Sequence, residues 1–69
     1  MREFILTSEY IELVKLLKLF GIAETGGHAK IIVEDGEVLL NGLQEFRKRA
    51  KLRAGDKIEV FGEIITIMG

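Results

Sequence analysis

No cysteine occurs in this chain, which has 69 residues. The absence removes disulfides and thiolate metal sites together, so a single packed core must hold the fold, and a core of this size supplies only ~3–5 kcal/mol. Hydrophobic residues make up 48% and charged residues 30%, which suits one globular domain over residues 1–69 and leaves no room for a second. Lysine and arginine number 10 against 11 aspartates and glutamates, for a net charge of −1. No global positive field surrounds such a chain, so any site for a polyanion has to be local. The apolar run Phe4-Ile5-Leu6 is shorter than the ~7–15 residues of a signal peptide's apolar region, and no stretch approaches ~18 apolar residues. The expectation is a soluble, cytoplasmic protein with no membrane partner.

Thr7 and Ser8 can each cap a helix, and from Glu9 to Phe20 the residues Tyr10, Leu13, Val14, Leu17 and Phe20 recur at three-and-four spacing. This predicts a helix over 9–20 that ends at Gly21. The next segment is open. Ala29 to Glu34, then Asp35-Gly36, then Glu37 to Leu40 reads as a β-hairpin on its Asp-Gly turn. It reads equally as a helix capped by Thr25, with Ala29, Ile32 and Val33 buried and Gly36 terminating it. Asn41-Gly42 predicts a type I′ turn with Leu43–Phe46 as the returning strand. Ala54-Gly55-Asp56 is a further turn, and Ile58 and Val60 lead through a tight turn at Gly62-Glu63 into Ile64–Met68.

Candidates for chemistry are few. One histidine (His28), one serine (Ser8) and one tyrosine (Tyr10) give no triad, no glycine-rich nucleotide motif is present, and Ser8 and His28 are better explained as helix-end residues. Neither catalysis nor a cofactor or metal is expected. Charge placement says more. Residues 44–57 hold six bases, Arg47, Lys48, Arg49, Lys51, Arg53 and Lys57, against Glu45 and Asp56, a surplus of four that leaves the rest of the chain at −5. If 47–53 is extended, Arg47, Arg49, Lys51 and Arg53 project to one side at about 6.6 Å intervals, near a nucleic-acid phosphate repeat. Thr25-Gly26-Gly27 would expose backbone N–H groups at a helix start, with Lys30 one turn on, a place where phosphate can approach closely.

In order along the chain, Leu16-Leu17-Lys18 with Gly21, Thr25-Gly26-Gly27-His28-Ala29-Lys30, Gly36-Glu37-Val38, Asn41-Gly42, Glu45 with Arg47-Lys48-Arg49, Lys51-Leu52 and Gly55-Asp56-Lys57-Ile58 resemble the ribosomal protein S-four-type RNA-binding domain. The similarity is closer to its small stand-alone YbcJ/YaaA-like members. It spans about residues 10–60. The resemblance implies an α+β fold, the alpha-L motif, in which two short helices pack on a small antiparallel sheet, and so a helix over about 26–34. It also implies RNA binding through Gly26, Gly27, Lys30 and Arg47, Lys48, Arg49 and Lys51. Many such domains have arginine where this chain has Gly26.

The leading expectation is therefore a non-catalytic module that docks on structured RNA, with ribosomal and transfer RNA as candidate partners, mainly through phosphates. Sequence-specific base reading is not expected, since no exposed aromatic pair resembles a stacking platform and Phe4, Phe20, Phe46 and Phe61 all sit in apolar patterns. Two rivals come from other classes. Gly55–Val60 is similar to β-grasp sulfur carriers, whose chemistry needs a flexible C-terminal Gly-Gly, whereas Thr66-Ile67-Met68-Gly69 reads as a strand with one glycine. An acidic helix face of Glu9, Glu12 and Glu24 would suit a protein-interaction module.

Overall fold

Two glycines that follow apolar helical patterns divide the chain, and both end helices in the same way. The computed structural model describes residues 2–69. Helix α1 spans Leu13–Leu19 and helix α2 spans Gly26–Glu34. After α1, Gly21 takes φ +71° and the Ile22 N–H donates five residues back to Leu17 O. After α2, Gly36 takes φ +77° and Glu37 N–H donates likewise to Ile32 O. These are glycine-terminated helix ends, with orphan carbonyls satisfied by the returning chain. At Gly36 the requirement is double, because a Cβ there would lie 2.8 Å from Gln44 Nε2 and 3.2 Å from Phe46 Cε1. The open segment resolves as the helix: Thr25 is its N-cap and Ala29, Ile32 and Val33 are buried.

The strands are β1 (Arg2–Ile5), β2 (Ile11–Glu12), β3 (Val38–Leu40), β4 (Leu43–Gln44), β5 (Lys51–Leu52), β6 (Lys57–Val60) and β7 (Glu63–Met68). Five form one sheet in the order β1-β7-β6-β3-β4, and β2 pairs with β5 in a small antiparallel ladder. The main sheet is mixed rather than wholly antiparallel, since β1 runs parallel to β7 with Phe4 opposite Ile67. That parallel edge corrects the expectation of an antiparallel sheet in one respect: Arg2–Ile5 adds a strand that runs parallel to its neighbour. One face of the sheet packs on the helices. Leu13, Leu16 and Leu17 from α1, Ala29 and Val33 from α2, and Ile58, Ile65 and Ile67 from the strands are fully buried together.

Helix α1 begins four residues later than the pattern predicts. Residues 7–9 bend, Ser8 Oγ donates to Tyr10 O at 2.9 Å instead of capping, and Glu12 is the N-cap without a side-chain cap bond. The first helical N–H groups donate instead to a distant loop, Leu13 to Ala50 O at 2.9 Å and Val14 to Lys48 O at 3.2 Å. A partner some 35 positions away serves as well as a local hydroxyl. None of Glu9, Glu12 and Glu24 lies in a helix, so the expected acidic helix face does not exist.

Both hairpin turns have two residues. Asn41 (φ +52°) and Gly42 (φ +88°) form the expected left-handed pair. In the last hairpin the pair is Phe61 (φ +50°) and Gly62 (φ +79°), one residue earlier than Gly62-Glu63, because Val60 faces Glu63 across the ladder. A bulky residue in the left-handed region costs about 1–2 kcal/mol, and Phe61 is 58% exposed, so little burial offsets the strain. Phe61→Asn is expected to stabilise the domain by about 0.5–1 kcal/mol, a rise of several degrees in a thermal melt. A melt at or below the wild-type temperature would contradict this account of the turn.

Candidate nucleic-acid interface

At the start of α2 the Thr25 hydroxyl accepts from His28 N–H at 3.0 Å, and His28 Nδ1 in turn accepts from Glu24 N–H at 3.2 Å. His28 is thus a helix-end residue, as its position suggested. A Cβ on Gly26 would meet nothing within 4 Å, and one on Gly27 would meet only Thr25 Oγ1 at 3.9 Å. Neither glycine is demanded by the fold, since neither has positive φ nor a crowded Cβ. Gly27→Ala is expected to leave stability unchanged or raise it by up to ~1 kcal/mol in chemical denaturation, because alanine is the better helix former. A loss of stability would show that the glycine has a structural task.

The segment Arg47–Arg53 is not continuously extended. It makes a turn, with Ala50 N–H donating to Arg47 O at 3.2 Å, before Lys51 and Leu52 enter β5. The turn exists because its carbonyls cap α1, and Ala50 and Leu52 are buried beneath it. Arg49, Lys51 and Arg53 stay exposed. Arg47, Arg49, Ala50 and Lys51 surround a shallow hollow of about 370 Å³. The bend therefore gathers around a concavity the cations that an extended ridge would have set in a row.

Two of these cations already have acid partners. Arg47 donates through its backbone N–H, Nε and Nη2 to the Glu45 carboxylate, each at 3.0 Å, while its side chain remains 75% exposed. Lys48 Nζ lies 3.0 Å from Glu34 Oε2 at the C-terminal end of α2. No ion pair engages Lys30, Arg49 or Lys51 among the described residues. The fork of hydrogen bonds from Arg47 holds the Glu45 carboxyl below its ordinary value of 4.5 and raises the Arg47 pKa. A carboxylate whose folded pKa is depressed adds stability above its unfolded pKa and loses it as pH falls through the folded value. The melting-temperature advantage of the wild type over Glu45→Gln should therefore be present above pH 4.5 and shrink below it. A pH-independent difference would contradict this.

The expected site residues form two groups. Arg47, Lys48, Arg49 and Lys51 come together at the turn. Gly26 and Gly27 lie at the other end of α2 from Glu34, roughly 12 Å away at 1.5 Å per residue, with Lys30 between the two groups. Positions 27, 30, 31 and 34 share one exposed stripe of α2, which joins the groups through the Glu34–Lys48 contact. Two neighbours lie outside the expected set: Tyr10, whose ring has Lys51 Nζ at 5.0 Å and the Arg53 guanidinium carbon at 5.8 Å, and Arg53 itself. The sequence signalled Arg53 as the period-two continuation of the basic run, whereas Tyr10 stood out only as part of an apolar helical pattern. Phe46 and Phe61, read as parts of apolar patterns, are 56% and 58% exposed.

A family model described as the S4 domain matches residues 4–68. The chain belongs to the S4 domain family. Its fold is that family's small α+β architecture: the solution structure of YbcJ from Escherichia coli, described as revealing an alpha-L motif involved in RNA binding, superposes with a TM-score of 0.75 at 37% identity, over 100% of this chain and 89% of that one. "Putative RNA-binding protein YbcJ" of Escherichia coli K12 is 39% identical over 59 residues, which are 86% of this S4 domain and 84% of YbcJ. "Probable ribosome maturation protein RlbA" of Bacillus subtilis 168 is 38% identical over 55 residues, 80% of this chain and 78% of RlbA. Membership in this family sets aside the sulfur-carrier resemblance, which rested on Gly55–Val60 alone. No helix among the described residues is long and apolar enough to cross a membrane.

Proposed function

We propose that this S4 domain is a non-catalytic RNA-binding module that docks on structured RNA through phosphate contacts from Gly26, Gly27, Lys30, Arg47, Lys48, Arg49 and Lys51, with no cofactor. The observation that carries the reading is the hollow ringed by Arg47, Arg49 and Lys51 in a chain whose remainder is acidic. Phosphate oxygens suit such a ring, since guanidinium and ammonium groups make charge-assisted hydrogen bonds and release condensed counterions on contact. The names carried by YbcJ and RlbA support RNA as the class of ligand, and the second favours ribosomal RNA.

Pairing within the site alters the expected salt dependence. Five free cations would give a log–log slope of about −3.5 to −4.5, but Arg47 and Lys48 exchange a carboxylate for a phosphate and release few counterions. Lys30, Arg49 and Lys51 remain, for a slope of about −2 to −3 at ~0.7–0.9 released ions per contact. The test is a salt titration by fluorescence anisotropy on a stem-loop RNA beside its DNA counterpart. Tighter binding to the RNA, with a slope in that range, is expected, because A-form shape and 2′-hydroxyls set the preference. No binding to either at low salt would overturn the proposal.

A further inference from the structure

A second hollow, larger than the one at the cationic turn, lies beside it. It lies between the end of β1 and the outward stripe of α1, is bridged by the bend at 7–10, and measures about 500 Å³. Phe4, Leu6 and Leu19 give it apolar walls, and Glu9, Glu12 and Lys15 stand on its polar side. Tyr10 belongs to both features: it lines this groove, and its ring is the one over which Lys51 and Arg53 sit. Glu12 is placed by backbone on both sides, paired with Lys51 in the β2–β5 ladder and serving as the N-cap of α1.

We propose that this groove receives one unpaired guanine of the bound RNA, stacked against Tyr10 and read by Glu12 and Lys15. The inference rests on the RNA-binding reading above and names the base it selects. A phosphate does not suit the groove, where two carboxylates face one ammonium. A base does, because a nucleotide whose phosphate meets Lys51 or Arg53 carries its base to the neighbouring Tyr10, and apolar walls with an aromatic ring accept a flat π-face. Among the four bases guanine has two adjacent donors, N1–H and the N2 amino group, beside an acceptor, O6. A carboxylate accepts from the donor pair and a lysine ammonium donates to O6, the complement that Glu12 and Lys15 present one turn apart on the α1 stripe.

The experiment compares three RNAs, a blunt hairpin stem, the same stem with one unpaired guanine at its junction, and that RNA with inosine at the unpaired position. Wild-type protein should bind the guanine RNA about tenfold more tightly than the blunt stem, and inosine, which lacks the N2 amino group, should lose most of that gain. Glu12→Gln should bind guanine and inosine RNAs alike, and Tyr10→Phe should keep the preference because the ring is retained. Tyr10→Ala should bind the blunt stem as the wild type does while losing the guanine gain. The inosine comparison needs no protein variant, so a folding defect in Tyr10→Ala cannot mask the result. Equal wild-type affinity for all three RNAs overturns the groove assignment and leaves the cationic surface standing. Failure to bind any of them overturns the RNA-binding reading and this inference with it.

Discussion

Replacing Arg49 and Lys51 together by alanine is expected to flatten the salt dependence of RNA binding by about 1.4–1.8 log–log units, which at 50 mM salt is a loss on the order of 100-fold in affinity. Both side chains are exposed and have no carboxylate partner among the described residues, so each phosphate they contact releases counterions in full. The matched pair Arg47→Ala with Lys48→Ala carries the same change in charge at the same turn. It should flatten the slope by less than half as much, because Glu45 and Glu34 already neutralise those two cations in the free protein. Neither pair should move stability by more than ~0.5 kcal/mol, the usual range for exposed positions. Anisotropy titrations of the two double variants on one stem-loop RNA separate these effects. Equal slopes for both variants would mean that the internal ion pairs do not shape the interface. An unchanged slope and affinity for Arg49→Ala with Lys51→Ala would remove the turn from the binding surface.

What could be read in the sequence was local chemistry. Thr25 with its amide partner three residues on, the glycines at 21 and 36, and the Asn41-Gly42 turn each carry their reason within a few positions, and each lies where that reason puts it. What could not be read depends on groups far apart. The start of α1 is decided by carbonyls at 48 and 50, so Thr7 and Ser8, good caps by composition, have no helix to cap. The same contact bends the basic run and turns an expected row of charges into a ring. β1 pairs with β7 from the opposite end of the chain, in a parallel register that no turn signal announces. The local pattern over 26–34 left helix and hairpin even, and only the family resemblance pointed to the helix; its physical reason is what α2 covers, since Ala29, Ile32 and Val33 close the core against α1, a tertiary demand that outweighs the β preference of three branched residues. Of the site, residue types were legible and their pairing was not. Glu45 stands two residues from Arg47, on the same side of an extended backbone, but the chelation of its carboxylate by both the backbone N–H and the guanidinium of Arg47 depends on the local path of the chain after Gln44.

Removing residues 67–69 is expected to unfold the domain at physiological temperature, with a stability loss above ~3 kcal/mol. Ile67 is fully buried in the sheet's inner face, and a buried isoleucine side chain alone accounts for ~1.5–3 kcal/mol. Both its backbone groups are engaged by the turn before β6: Gly55 N–H donates to Ile67 O, and Ile67 N–H donates to Asp56 O, each at 2.8 Å. Strand β7 also stands between β1 and β6, so the cut removes the partners of Phe4 and Ile5 and frees the edge strand, along with the 2.8 Å bond from Leu6 N–H to Met68 O. Phe4 packs edge-on against Phe20 with ring centroids 6.1 Å apart, so loosening β1 also uncovers the end of α1. These losses together approach the whole ~3–5 kcal/mol that a core of this size supplies without disulfides. Deleting Gly69 alone is the control and should change little, since it lies beyond β7. Circular dichroism melts of the two truncations decide the matter. A cooperative transition at the wild-type temperature in the shorter protein would show that the C-terminal strand is dispensable, as a flexible carrier tail would be and the partner of β1 cannot be.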